Sequence, residues 1–90
     1  MNDSSIIKRA KDVPFSMLDD ELLGIDSQAG YCYSLNETAG RVWELIAEPM
    51  TVSEICSRLR KEFAVDEQTC KRETISLLQQ LTDAGLAGID

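Results

Sequence analysis

The chain contains no histidine. Without an imidazole there is no Ser-His or Cys-His pair, and the commonest general base of enzymes is missing. The three cysteines, Cys32, Cys56 and Cys70, are an odd number and include no CxxC pair. A zinc site would therefore need a fourth ligand from a carboxylate or from another chain. The simpler reading is three half-buried thiols that pack like small hydrophobes in a reducing cytosol. No apolar run approaches the ~20 residues that span a bilayer. The segment from Met1 to Arg9 lacks the apolar stretch of a signal peptide, so a cytoplasmic location with no membrane partner is expected. The five glycines are scattered and form no phosphate-cradling loop. Basic residues are scarce, nine Lys and Arg against sixteen Asp and Glu for a net charge of −7. That balance argues against nucleic acid or an anionic membrane as the main partner and mildly favours basic ones.

What remains is a chain of 90 residues, 43% hydrophobic, enough for one domain over 1–90 with a modest core. A chain this short buries only about 60–65% of its unfolded surface. Residues 1–5 are polar and expected to be loose. Ile6 to Ala10 reads as a short strand or an extended arm, interrupted by Asp12 and Pro14. Val13 to Leu18 and Glu21 to Asp26 read as strands, the second with Leu23 and Ile25 on one face. Asp19-Asp20 is a turn signal, and Ser27-Gln28-Ala29-Gly30 suits a hairpin turn.

The chain is organised around the next stretch. Tyr31, Tyr33 and Leu35 alternate with Cys32 and Ser34, the period-two pattern of a strand with unlike faces. Asn36 then offers a cap to a helix whose Ala39, Val42, Trp43 and Ile46 share one face and which Glu48-Pro49 ends. Thr51 to Glu54 is a capping box that opens a second helix with Val52, Ile55, Cys56, Leu59 and Phe63 on its stripe. After Ala64-Val65, Asp66 caps a third helix that buries Cys70, Thr74, Leu77, Leu78, Leu81 and Ala84, with Gly85 at its C′ position. Leu86 to Ile89 is a candidate final extended segment. The fold class is α+β, winged-helix-like: a three-stranded antiparallel sheet followed by a three-helix unit.

The carboxylate pairs at Asp19-Asp20-Glu21 and Asp66-Glu67 are explained by a solvated turn and a helix start, so no catalytic residue, metal site or cofactor is assigned. Two binding functions remain. The helix-turn-helix shape admits a DNA-binding regulator with Lys71 and Arg72 on the reading helix, although that helix opens with Asp66-Glu67 and carries Glu73. A strand that runs into a helix is also suited to a sheet edge, and such an edge can accept a peptide as an added strand. The residues alone leave open whether Tyr31 and Tyr33 wall a groove or only cover the sheet.

The run Gly30 to Leu45, GYCYSLNETAGRVWEL, resembles the signature of the PqqD-like family, in which a Gly-aromatic-x-x-x-Leu-Asn run leads into a helix. Thr51 to Ile55, Phe63 to Asp66, Leu77 to Leu81 and Ala84 to Leu86 match in order and spacing, so the likeness runs from about Val13 onward. It implies a RiPP recognition element, a peptide chaperone that binds the leader of a ribosomally made precursor and presents it to a modifying enzyme. In that family the leader adds antiparallel to the third strand, against the third helix. Carried onto this chain, the docking strand is Tyr31, Cys32, Tyr33, Ser34 and Leu35, and the groove wall is Cys70, Glu73, Thr74 and Leu77. The aromatic strand and Trp43 look more like the standalone proteins of lasso-peptide clusters than the quinone-cofactor member. The implied enzyme partner is a leader peptidase or, alternatively, a radical-SAM enzyme.

Overall fold

The computed structural model describes residues 1–90 except 12, 20, 28 and 29. The expected interruption at Asp12 and the turns through Asp20 and through Gln28-Ala29 lie outside the described residues.

The three alternating segments form an antiparallel sheet. Its strands are β2 (Phe15–Leu18), β3 (Glu21–Asp26) and β4 (Tyr31–Leu35), in that spatial order. Register runs from Phe15 opposite Gly24 to Leu18 opposite Glu21, and from Leu22 opposite Leu35 to Asp26 opposite Tyr31. The strand expected from Val13 begins two residues later, with Val13 itself buried just before Pro14. Leu23 and Ile25 do share a face of β3, and it is the solvent face, with Ile25 62% exposed. The inner face carries Leu22 and Gly24, because the Phe15 ring lies over Gly24 and fills the space of a side chain. A methyl group at Gly24 would stand 2.6 Å from Phe15 Cδ1. Gly24→Ala is expected to cost about 1–3 kcal/mol, the range for overpacking. Urea unfolding checks this, and a variant as stable as the parent would show that the ring can move away freely.

The helices are α1 (Glu37–Leu45), α2 (Val52–Glu62) and α3 (Glu67–Asp83). Each starts on the expected cap. Asn36, Thr51 and Asp66 accept from the amides of Ala39, Glu54 and Thr69, at 2.9, 3.1 and 3.1 Å. At the end of α3, Gly85 takes a φ of +76°. Its amide donates to the Thr82 carbonyl, and the Leu86 amide donates to that of Leu81, the paired bonds of a Schellman turn. On α3 Ala84 is exposed rather than buried, since it is the C-cap.

The expected extended segments at Ile6 to Ala10 and Leu86 to Ile89 are strands, and what local pattern does not announce is that they join in a second antiparallel sheet. In it β1 (Ile6–Arg9) lies between β5 (Met50–Thr51) and β6 (Ala87–Ile89). Ile7 is wholly buried there. The Ser5 and Asp3 carbonyls accept from the amides of Val52 and Ser53, two donors at a helix start that no intrahelical group can reach. Asp3 also pairs with Lys71 at 3.0 Å.

The core lies between the sheets and the helices, with Val42, Ile46, Val52, Ile55 and Leu78 fully buried. Arg9 joins the two halves: its guanidinium stacks 4.4 Å from the Trp43 ring centroid. Its Nε and Nη2 donate to the Trp43 carbonyl at 3.1 and 2.7 Å. That carbonyl lies in the last turn of α1, where cations are favoured and α1 has no basic residue of its own. Among the described residues, no helix is long and apolar enough to cross a membrane.

Candidate functional site

A strand at the margin of a sheet leaves every second amide and carbonyl without a ladder partner. β4 holds that position, paired among the described residues with β3 on one side only. The N-terminal arm does not cover it, being built into the other sheet between β5 and β6. Along β4 the side chains follow the expected alternation. Tyr31, Tyr33 and Leu35 point to the helix side, with Tyr31 62% exposed, Tyr33 half-buried against the core and Leu35 buried. The two tyrosine rings lie 6.4 Å apart and tilted by 44°. Cys32 and Ser34 are exposed on the opposite face, where the Ser34 hydroxyl donates to Glu21 at 3.0 Å.

The third helix contributes a wall. Cys70, Glu73, Thr74 and Leu77 fall on one face by helical spacing, and all four line a single cavity of about 90 Å³. Cys70 and Thr74 are buried, Leu77 is half-buried and Glu73 stands exposed. The Cys70 thiol is 3.8 Å from the Cys56 carbonyl and 3.9 Å from the Thr74 hydroxyl, so its polar contacts are local. The rest of the lining is Leu59, Phe63, Val65 and Thr38. The structure thus brings the four helix residues together. It does not bring Tyr31 to Leu35 into the same cavity. Thr38, three residues past the end of β4, is the nearest link between them. Leu59 and Phe63 were legible as apolar positions of α2, but a helical stripe does not distinguish a core residue from a groove residue. Thr38 and Val65 fall within the runs Gly30 to Leu45 and Phe63 to Asp66, but nothing in those runs marks either as a lining residue.

The three cysteines differ in burial: Cys32 is exposed, Cys56 half-buried and Cys70 buried, so the expectation of three half-buried thiols holds for Cys56 alone. Burial pushes the Cys56 thiol up from its ordinary pKa, which lowers the thiolate fraction and with it nucleophilicity. The hydrogen bonds from Thr69 hold the Asp66 carboxyl below the usual carboxylate range, as a charged helix cap requires. Among the described residues no three His, Cys, Asp or Glu side chains are grouped to hold a metal ion.

Residues 18–87 match the family model for coenzyme PQQ synthesis protein D (PqqD). Two solved structures are similar to this one. TbiB1 in complex with the TbiA(beta) leader peptide is 28% identical, with a TM-score of 0.77 over 89% of this chain and 93% of that one. A lasso peptide synthetase B1 complexed with the leader peptide is 18% identical, with a TM-score of 0.77 over 91% of this chain and 96% of that one. At that lower identity the likeness is one of fold. No curated protein matches the chain.

Proposed function

We propose, from the premise that this chain belongs to the PqqD family, that it is a RiPP recognition element without catalysis of its own. It binds the leader of a ribosomally made precursor as an extra strand, antiparallel to β4 and against α3, and delivers it to a maturation enzyme. The observation that carries the reading is the open edge of β4, with the N-terminal arm engaged elsewhere and Thr38, shortly after β4, in the lining of the α3 cavity. The likeness to TbiB1, which was solved with a leader peptide, supports leader binding, and the enzyme of this reading is the leader peptidase of a lasso-type system. A radical-SAM enzyme is the alternative. A cytoplasmic site of action fits such a pathway.

The energies are adequate. Four or five ladder hydrogen bonds at ~1 kcal/mol net give about 4–5 kcal/mol. Two or three apolar leader side chains add about 1.5–3 kcal/mol each on burial. Against association costs of at least ~4 kcal/mol, that sum reaches the ~8 kcal/mol of micromolar binding. The DNA-binding alternative has less behind it. Of the bases on α2 and α3, Lys71 is paired with Asp3 at 3.0 Å and Arg60 with Glu67 at 4.0 Å, and the chain carries net −7.

Isothermal titration with the leader of a precursor encoded beside this gene is expected to give one-to-one binding at about micromolar affinity. In the same complex, amide chemical shifts should move within 31–35 and 70–77. Shifts confined to another surface would overturn the assignment of the edge.

A further inference from the structure

A peptide antiparallel to β4 leaves the strand, on its upstream side, at Leu35. The next two residues of the protein, Asn36 and Glu37, line a second cavity of about 330 Å³. Its floor is apolar, made by Leu22 and Phe63, and Met17, 62% exposed, stands at its mouth. Phe63 also lines the α3 cavity, so the two spaces share one lining residue. The rim is charged: Asp19, Glu37, Glu44 and Glu62 surround it, and among the described residues Arg41 is the one cation in the lining. Arg41 is already committed, its Nε 2.7 Å from Glu62 and its Nη1 3.6 Å from Glu44. Asp19 and Glu37 have no ion-pair partner among the described residues.

We infer that this cavity is a specificity subsite for a lysine or arginine side chain a few residues upstream of the docked leader strand. The inference rests on the function proposed above. An apolar floor beneath a carboxylate rim matches a side chain with a methylene stem and a cationic head. An acidic side chain would meet like charge, and a purely apolar one would leave the carboxylates unanswered. Two partly exposed ion pairs amount to about a three- to tenfold preference in affinity over an uncharged side chain. The preference should weaken in 0.5 M salt, where charges are screened within about 4 Å.

The test is selection of a displayed library of random 20-residue peptides against the parent protein, Tyr33→Asp and the double variant Asp19→Asn/Glu37→Gln. Asparagine is chosen at 19 because that residue sits at a φ of +56°, which Asn tolerates. The expected result is an apolar extended motif preceded by Lys or Arg, enriched about three- to tenfold at that upstream position. That preference should vanish in the double variant while the motif persists. An apolar motif that Tyr33→Asp abolishes, with no basic preference or with one the double variant keeps, would overturn the subsite and leave the docking edge standing. Absence of any motif that depends on Tyr33 would overturn both.

Discussion

A proline placed in the middle of β4 is expected to end leader binding in one of two adjacent positions and to damage the fold in the other. Successive amides of a strand point to opposite edges, so of Cys32 and Tyr33 one donates toward β3 and its neighbour toward open space. Proline removes the donor and projects a ring where a partner strand would lie. On the open side the parent contacts are untouched. The loss there is one ladder bond of ~1 kcal/mol together with displacement of its neighbours, about 2–3 kcal/mol in all, or roughly 30- to 150-fold in affinity. On the β3 side the same substitution breaks the sheet, and the melting temperature falls instead. Tyr33→Asp is expected to abolish binding by a different route. It replaces a half-buried ring that packs against the core with a charge that an apolar leader side chain cannot accept. Titration calorimetry and thermal melts on all three variants separate the effects. Undiminished affinity in both the folded proline variant and Tyr33→Asp would remove β4 from the binding site.

Trp43→Ala is expected to be the most destabilising single change in the chain. The ring is 2% exposed and is touched from both sheets: Phe15 of β2 lies 5.1 Å away, centroid to centroid, and Arg9 of β1 stacks at 4.4 Å. Removing a buried aromatic of this size costs about 3–5 kcal/mol. Small domains have only about 5–15 kcal/mol in total, so the melting temperature should drop by about 12 °C or more at ~4–8 °C per kcal/mol. A second consequence is specific to this arrangement. With the ring gone, Arg9 keeps its hydrogen bonds to the residue 43 carbonyl but loses the surface it stacks on, so Arg9→Ala should cost less in the Trp43→Ala background than in the parent. A double-mutant cycle by urea unfolding measures this. Strict additivity would mean that the stacking contributes nothing.

The sequence carried the parts of the fold that are set by neighbours in the chain. Tyr31 to Leu35 alternates cleanly and is a strand with those bounds, and the three helix caps are side chains bonding three residues ahead, a purely local event. Gly85 was legible for the same reason. Of the second sheet, β1 and β6 were legible as extended segments, but β5 and the pairing were not. Met50-Thr51 is two residues long, too short for any period, and its partner Ile6-Ile7 lies more than forty positions away. Thr51 was legible only in its other role, as the cap of α2. Arg9 had no signal either, because a base in a polar stretch gives no hint that an indole waits for it on a distant helix. At the candidate site, the four α3 residues came from family likeness and share one cavity by their spacing, whereas Phe63 joins two cavities through chain reversal after α2, which no periodicity encodes. The inner face of β3 was also hidden: that Gly24 faces inward follows from the Phe15 ring above it, a cross-strand pairing rather than a local preference.

The unequal burial of the three thiols makes the protein its own sensor. At neutral pH a maleimide dye should couple to the open Cys32, since Cys70 is shut inside and Cys56 is half-buried, with burial pushing its thiol pKa up. Cys32 sits in the middle of the strand where a guest chain would arrive but projects from the far side of the sheet, so the probe can register docking without standing in its way.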